Sequence, residues 1–525
     1  MGDPEDPFQV PRGTKRKQPT DGTKSSFAQR LAAARKVSKH VDSDSDVEDE
    51  DAPAPKVGRG SDATRLSGND DLLRRDTHFS DLYRSEIDFA ALAANDEKLQ
   101  PYLKGDRHLD FADPGSVMQL TKTLLKVDFG LTLDMPEDKL CPPVPNRHNY
   151  ILWVKALLDS SSGTYSELYE PERKVKGLDI GTGASAIYPL LGCTQRPGWS
   201  FVATDIDGKS LSWARKNIEA NKLESRIQVL KRSATDTMIP LDDAGVENID
   251  FVMTNPPFYS SETELLELAE SKAQPPNSAC TGAAHEMVCD GGEVGFFRRI
   301  FDESLSLRGR VQWYTIMLGK QSSLEAIIPV LQDRGIDNYA LAQFVQGTRT
   351  RRWAVGWSFA GRRPSDAACR GFEPSAGKKL LPHVTEMTVV TKMAKAGAAE
   401  QIQNVFWTQL EDVTDGLDLV SWNLDEDRLR VVGFAEQNVW GRAYRRSKAR
   451  EAGKEKPPMT DRKQSDVSEC PFGFAIAVTT GDAEEAAKDD GQKTVAVVVR
   501  WLQGSDFALF ESFAGMLRNT LLNVV

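Results

Sequence analysis

Two segments of the chain combine residue types that suit chemistry on a ligand containing a nucleoside. In the first, Leu178–Ser185, a short apolar run leads into Gly181-Thr182-Gly183. Glycine adopts positive φ without strain and has no Cβ, so such a turn lets the backbone approach a ligand closely. Asp205 ends the next apolar run, where a carboxylate can accept hydrogen bonds from both hydroxyls of a ribose. This pair suits either a dinucleotide or S-adenosylmethionine.

The second segment, Asn255-Pro256-Pro257-Phe258, favours S-adenosylmethionine. The exocyclic amine of adenine is a poor nucleophile because its lone pair is delocalised into the ring. The Asn255 side-chain oxygen and the Pro256 carbonyl can accept its two N–H groups, which orients the nitrogen for methyl transfer. The two prolines stiffen the turn, and Phe258 offers a flat face to a base that has left its stack. We therefore interpret these four residues as catalytic.

Alternating strands and helices are needed to bring these two segments together. Apolar runs that end at Ile180, Asp205, Leu230, Thr254 and Met317 alternate with stretches of helical periodicity. This order predicts an α/β fold with a doubly wound, mostly parallel sheet, in which the carboxyl ends of the strands meet at one edge.

Composition divides the chain into four parts. Residues 1–75 are rich in Pro, Gly, Ser, Asp and Lys, which predicts a disordered tail. Residues 76–362 are predicted to hold a helical extension and the catalytic domain, and residues 363–384 a linker. Residues 385–525 are predicted to form a smaller α+β accessory domain. Its basic insert, Arg442–Gln464, suits either RNA binding or a solvated loop.

Net charge gives a misleading first indication of the partner. The chain carries 66 Lys and Arg against 77 Asp and Glu, a difference of −11, whereas nucleic-acid-binding domains are usually basic. Much of the excess acid lies in one run, Asp42–Asp51, while cations cluster elsewhere. The basic cluster Lys15–Lys17 is typical of nuclear import signals, although short basic clusters are also common in solvated tails.

Other classes of protein are not supported by the composition. No apolar stretch is long enough to cross a bilayer, and the first thirty residues lack the apolar core of a secretory signal. The six cysteines form no Cys-x-x-Cys pair, which predicts reduced thiols in the cytosol or nucleus. The six histidines are dispersed, so no metal site is predicted.

Seven segments in order, over about residues 85–360, resemble the methyltransferase-like protein sixteen family of RNA adenine-N6 methyltransferases. Its bacterial relative acts on large-subunit ribosomal RNA. The segments are Asp128–Leu131, Val144–Ile151, Leu178–Gly192, Asn255–Phe258, Gly291–Glu293, Trp313–Lys320 and Gln346–Trp353. The resemblance implies a Rossmann-like class I methyltransferase fold, followed in higher eukaryotes by an additional RNA-binding module.

The resemblance also implies a binding site for S-adenosylmethionine. The arginine of the family that meets the methionine carboxylate falls on Arg147. The family's ribose ligand is usually Glu, and Asp205 replaces it with a shorter side chain. The expected cofactor-binding residues are Arg147, Gly181, Thr182, Gly183, Ser185, Asp205, Thr235 and Asn255.

Cations near the catalytic segments are candidates for RNA contact, because Lys and Arg bind phosphates. We expect Arg349, Arg351 and Arg352 to lie together on a loop between late strands. Tyr259 joins the set because it replaces the family's Phe after Pro-Pro-Phe. The candidates are Lys104, Arg107, Lys122, Lys126, Tyr259, Arg298, Arg299, Lys320, Arg349, Arg351 and Arg352.

Three functions remain open on the sequence alone. The leading one is a nuclear S-adenosylmethionine-dependent RNA N6-adenosine methyltransferase acting on U6 small nuclear RNA, the family's recurrent target in eukaryotes, or a similar structured RNA. A second is methylation of another planar amine or amide, such as ribosomal RNA adenine, DNA adenine or protein glutamine. A third is a noncatalytic RNA-binding or ribonucleoprotein-assembly factor. The intact Gly181, Asp205 and Asn255 argue against a loss of catalysis.

Overall fold

The computed structural model describes residues 63–105, 108–257, 259, 261, 284–346, 350–372, 378–451, 467–482 and 492–522. These residues form a seven-stranded sheet and a five-stranded sheet. Buried side chains fill a core on each face of the larger sheet and a third core beside the smaller one. The prediction of an α/β unit followed by a smaller α+β unit is confirmed.

The larger sheet is mostly parallel. Its strands are β1 (Val175–Ile180), β2 (Trp199–Asp205), β3 (Ile227–Lys231), β4 (Ile249–Thr254), β5 (Val311–Leu318), β6 (Tyr339–Gln346) and β7 (Thr350–Trp357). The spatial order is β3-β2-β1-β4-β5-β7-β6, and only β7 runs antiparallel to its neighbours. Successive connections leave β1 in opposite directions, so a crevice opens beyond the carboxyl ends of β1 and β4.

Helices cover both faces of this sheet. They are α1 (Ala63–Asp81), α2 (Phe89–Asn95), α3 (Pro114–Phe129), α4 (Val144–Ser160), α5 (Ile187–Gln195), α6 (Gly208–Ala220), α7 (Ala284–Met287), α8 (Gly292–Leu307), α9 (Gln321–Asp333) and α10 (Asp366–Cys369). The apolar faces of α3 to α6 share one core, and those of α8 and α9 share the other. Short 3₁₀ turns span Glu97–Tyr102, Arg308–Arg310, Lys378–Leu380 and Val467–Glu469. No helix in the described ranges is long and apolar enough to cross a membrane.

Helix α1 overlaps the end of the predicted disordered tail, residues 1–75. Residues 63–75 are helical, because buried charges fix the end of this helix. Asp76 pairs with Lys155 of α4 at 2.5 Å and with Arg196 at 2.8 Å, and all three residues are buried. The clusters Lys15–Lys17 and Asp42–Asp51 lie outside the described residues.

The smaller unit is an antiparallel sheet with helices packed on it. Its elements are β8 (Glu386–Lys395), α11 (Ala396–Asp415), β9 (Ser421–Asp425), β10 (Arg430–Ala435), α12 (Arg442–Glu451), β11 (Phe472–Asp482), β12 (Gln492–Gln503) and α13 (Phe507–Leu521). The order is β8-β12-β11-β10-β9, and α11 and α13 share its core. The polar strand β9 was not predicted. Helix α12 begins the predicted basic insert, of which residues 452–466 lie outside the described ranges.

The segment predicted as a linker packs against both units. Arg363 is buried and donates to Asp337 at 2.9 Å and to the Gly504 carbonyl at 2.7 Å. On β12, the buried Arg500 forms an ion pair with Glu167 at 2.8 Å, in the segment that leads into β1. Buried arginines, one in the predicted linker and one on β12, therefore hold the two sheets together.

The fully buried His148 anchors α4, the helix that also carries Arg147. Its Nε2 donates to the Phe79 carbonyl at 2.8 Å, so its Nδ1 is left to accept from Gln195 Nε2 at 3.2 Å. Both ring nitrogens are thus satisfied in the neutral form. Burial lowers the pKa of His148 from 6.5 to about 3, and the charge of Lys155 acts in the same direction.

We expect acidification to destabilise the fold through His148. Below pH 6.5 the unfolded chain binds a proton that the folded chain excludes down to about pH 3, so stability falls as pH falls through this window. Between about pH 7.5 and 5.5 the loss is on the order of 1 kcal/mol. His148→Gln keeps a donor toward Phe79 and removes the titration, so urea unfolding of this variant should vary less with pH.

His108→Gln provides the control, because His108 is exposed. Its pH dependence of unfolding should match that of the wild type. An unchanged pH dependence in His148→Gln would contradict the assignment.

Candidate active site

The glycine turn after β1 leaves open space at the carboxyl edge of the larger sheet. Gly181 and Gly183 adopt φ of +76° and +65°, and a Cβ added at either would meet no atom within 4 Å. The amides of Gly181 and Thr182 both donate to the Thr204 carbonyl at 2.9 Å. The turn is therefore fixed to the end of β2, with open space above the two glycines.

Asp205 holds this turn from the end of β2. One carboxylate oxygen accepts from the Gly183 amide and the other from the Asp207 amide, both at 2.9 Å. Each oxygen retains lone pairs for further donors, as ribose hydroxyls require. The next residue, Ile206, is half exposed although it is apolar, so it offers an apolar surface beside Asp205. The sequence analysis did not list it as a candidate site residue, although it directly follows the acidic residue.

Unpartnered buried polar atoms concentrate around this opening. Buried polar groups nearly always form hydrogen bonds, so such a cluster indicates groups that await a ligand. Within the described ranges, the unpartnered atoms near this edge are Asn146 Oδ1, Asn255 Oδ1, Glu293 Oε2 and Trp353 Nε1, and the buried side chains of Asp179 and Thr182 interact only with each other at ordinary hydrogen-bond range.

Asp179 is a site residue that sequence reasoning missed. It lies on β1 two residues before Gly181 and is fully buried. Burial raises its pKa to about 7, whereas the Thr182 side chain and the charge of Arg147 oppose that rise. Arg147 is itself buried, and it donates to the Tyr188 hydroxyl at 3.1 Å. A carboxylate inside an apolar strand, directly before a glycine turn, was the signal for this residue.

Threonine side chains brace the strand ends that carry the site. Thr204 donates to the Asp179 carbonyl at 3.3 Å, and Thr254 donates to the Ile180 carbonyl at 2.8 Å. These bonds tie β2 and β4 to the end of β1. Asn255, which directly follows Thr254, is therefore presented from a rigid edge.

The segment after Asn255 is held by the residues that precede α8. The Cys289 thiol lies 3.7 Å from the Pro257 carbonyl. The Tyr259 amide donates to the Met287 carbonyl, and the Cys289 amide donates to the Tyr259 carbonyl, both at 3.0 Å. Pro256 is buried. Phe258 lies outside the described residues, as do residues 262–283.

Comparisons with known proteins identify the family. A family model described as RNA methyltransferase matches residues 73–361. The U6 small nuclear RNA (adenine-(43)-N(6))-methyltransferase of Schizosaccharomyces pombe is 34% identical over 415 residues, which cover 79% of this chain and 95% of that protein. The chain belongs to the METTL16 family. It is an S-adenosylmethionine-dependent RNA adenine-N6 methyltransferase, so the resemblance drawn from the motifs is confirmed.

Other members of the METTL16 family also match. The RNA N(6)-adenosine-methyltransferase mettl16 of Danio rerio is 32% identical over 487 residues, which cover 86% of this chain and 99% of that protein. A crystal structure of the hMettl16 catalytic domain in complex with MAT2A 3′UTR hairpin 1 aligns with 40% identity and a TM-score of 0.46. That alignment covers 52% of this chain and 92% of the other.

The residues of this METTL16-family site fit S-adenosylmethionine. The space over Gly181 and Gly183 is open, Asp205 offers acceptors that a ribose could use, and Arg147 is a buried cation that could meet a carboxylate. Ser185 is buried under the turn. Thr235 lies exposed in the loop after β3, where its hydroxyl is 3.1 Å from that of Ser233. No group of three His, Cys, Asp or Glu side chains among the described residues could hold a metal ion.

The late arginines do not lie where the sequence predicted. Arg351 and Arg352 belong to β7, in a hairpin with β6, rather than to a loop. Alternating strand geometry turns them to opposite faces, which explains why Arg351 is exposed and Arg352 is half buried. Burial and the charge of Arg147 lower the pKa of Arg352, while Glu293 and Tyr259 oppose that change. Arg352 therefore lies beside the active site.

The other candidate RNA contacts divide by location. Lys104, Lys122 and Lys126 lie on the helical extension, where each pairs with an aspartate at 2.8–3.3 Å. Arg298 and Arg299 are exposed on α8. Arg107 and Arg349 lie outside the described residues. Lys320 lies nearest the catalytic segment, with its Nζ 5.7 Å from the centre of the Tyr259 ring.

We expect Asp205→Ala to abolish tight cofactor binding. The variant removes the acceptor that fixes the Gly183 amide together with the acceptors offered to a ribose, so Kd should rise at least about tenfold. Isothermal titration with S-adenosylhomocysteine measures this change. Asp333→Ala, at the exposed end of α9, should leave Kd unchanged. Equal affinities in wild type and Asp205→Ala would rule out the assigned role.

Proposed function

We propose that this protein methylates N6 of an adenosine in U6 small nuclear RNA, in the nucleus. The observation that carries the chemistry is the unpartnered Asn255 Oδ1 at the braced end of β4, beside the opening over the glycine turn. The choice of RNA is supported by the Schizosaccharomyces pombe relative, because nearly all of that protein aligns with this chain.

The residues of the site would act by positioning and electrostatics. Arg147, Asp205 and the glycine turn would hold S-adenosylmethionine, which supplies an electrophilic methyl group on a sulfonium. Asn255 Oδ1 and the Pro256 carbonyl would accept the two N–H groups of adenine, and a neighbouring aromatic ring would stack on the base. These acceptors would stabilise the positive charge that develops on nitrogen as its bond to the methyl carbon forms and the bond from that carbon to sulfur breaks. S-adenosylhomocysteine would leave, and the nitrogen would lose one proton to solvent. The residues around the glycine turn would exclude water.

We expect Asn255→Ala to abolish methyl transfer and largely to retain RNA binding. The variant removes the acceptor that orients the amine but leaves the surrounding cations in place, so kcat should fall at least about a hundredfold. The measurement is transfer of labelled methyl to U6 small nuclear RNA, with RNA affinity measured in parallel. Asn423→Ala, on the exposed strand β9, should behave as wild type.

Near-normal transfer by Asn255→Ala would refute the role of Asn255. The same assay on total RNA and protein separates the alternatives by the molecule labelled. Label in protein would favour glutamine as the substrate, and label in another RNA would redirect the choice of target. No transfer by the wild type would favour an RNA-binding factor.

The C-terminal unit is proposed to contribute to RNA binding through α12. Its exposed cations include Arg442 and Arg446, which lie one turn apart on one face of the helix. Deleting the unit would leave Glu167 without its partner Arg500, so point substitutions test it better.

We expect Arg442→Ala with Arg446→Ala to weaken RNA binding and to leave cofactor binding intact. Each lost phosphate contact should reduce the slope of log K against log salt by roughly 0.7–0.9. Titrations at several salt concentrations measure this slope. The matched control is Lys174→Ala with Lys176→Ala, two exposed cations at the amino end of β1. Equal slopes in both double variants would exclude α12 from the interface.

A further inference from the structure

Glu293 is a buried carboxylate to which the proposed chemistry assigns no role. It lies in the first turn of α8, after Gly291 and Gly292 at φ of +69° and +58°, and only 2% of its surface is exposed. One of its oxygens accepts from the Gly319 amide, directly after β5, and the Ser323 side chain and the Lys320 amide lie beside the carboxylate, although Oε2 has no partner at ordinary hydrogen-bond geometry. A buried charge is costly unless other charges compensate it.

The carboxylate is compensated by these polar neighbours and by the charge of Lys320, which directly follows Gly319. Arg352 of β7 lies within electrostatic range of Glu293, and its guanidinium donates to the Arg351 carbonyl at 2.9 Å. Lys320 also lies over the ring of Tyr259. The carboxylate thus acts on two cations, Lys320 at the start of α9 and Arg352 on β7.

Glu293 is also close to the exit of the catalytic tetrad. Cys289 contacts the Pro257 carbonyl and, at 3.4 Å, the Gly292 carbonyl. Burial raises the pKa of the Cys289 thiol to about 11, and the charge of Glu293 adds to that rise. A chain of contacts therefore runs from Pro257 through Cys289 to the first turn of α8, and from Glu293 to Lys320 and Tyr259.

We propose that Glu293 is a positioning residue that holds Lys320 and Arg352 at the entrance of the adenosine pocket. This proposal rests on the proposed function, because it assigns these cations to the phosphodiester backbone of the target nucleotide. The backbone bond to Gly319 fixes the turn that carries Lys320. The negative charge restrains Arg352. It also offsets the repulsion among Lys320, Arg352 and Arg147, so that all three cations stay at the site. Glu293 itself touches neither substrate.

Glu293→Gln tests the charge, because glutamine can still accept from the Gly319 amide. With the two cations no longer restrained, kcat for RNA methylation should fall at least about tenfold. Because one negative charge near them is lost, RNA should bind no more weakly than to wild type, with a salt slope steeper by up to roughly one. Affinity for S-adenosylhomocysteine should stay within about twofold.

Glu303→Gln is the matched control. Glu303 lies on the same helix and accepts from the Met238 and Ile239 amides at 2.8 and 2.9 Å. The control loses the same charge from a residue that also bonds backbone amides, so its kcat and salt slope should match those of wild type. A double-mutant cycle with Arg352→Gln should be non-additive in kcat, because both changes act through the same guanidinium.

Each result separates the positioning role from its alternatives. Unchanged kcat in Glu293→Gln, an equal loss in Glu303→Gln, or an additive cycle would overturn the role. Joint loss of stability, RNA affinity and cofactor affinity would also overturn it, since that pattern marks a structural residue. If wild type methylates no RNA adenosine, the proposed function fails, whereas the salt slope of Glu293→Gln still reports whether Glu293 restrains the cations.

Discussion

Charge held out of water at the carboxyl edge of the larger sheet is the constraint on which the rest of this structure depends. Asp179, Arg147 and Glu293 are all buried there, and several of their neighbours have polar atoms without partners. Such groups would draw in water or shift position unless the frame around them were rigid. Electrostatic stabilisation of a transition state needs the same property, because the dipoles must be in place before charge develops.

The rigidity comes from hydrogen bonds that cross between strands and from helices that are anchored by buried charge. Thr204 and Thr254 tie the strand ends together, and Asp205 ties the glycine turn to β2. On the outer face, the ion pair of Asp76 with Lys155 fixes α1 to α4, the helix that carries Arg147. The N-terminal extension therefore stabilises the catalytic domain as a part of its fold.

The sequence was informative wherever one local pattern determined the structure. Apolar strands of the larger sheet, the glycine turn and Asn255 could be placed because period, turn chemistry and spacing agree there. Composition did not predict the structure where a charged residue is buried against a partner that is distant in sequence. Residues 63–75, predicted as part of the tail, are helical and lead to Asp76, which pairs with Arg196. The predicted linker begins at Arg363, which is packed against Asp337. Arg352 and Glu293 are further cases, since only the pairing of β6 with β7 and the approach of α8 to β5 bring them to the site.

The same reasoning explains why a net charge of −11 is compatible with an RNA enzyme. Salt screens exposed charges beyond about 10 Å, so an RNA backbone responds to cations close to the site and not to the sum over the chain. Within the described residues, several of the predicted RNA-binding lysines are already paired with aspartates on the helical extension. Lys320 and Arg352 lie instead near the catalytic segment, where the acidic group that acts on both is the buried Glu293. A buried carboxylate can orient two cations without competing for the phosphate that approaches from solvent, so local arrangement of charge and not its total determines where RNA can bind.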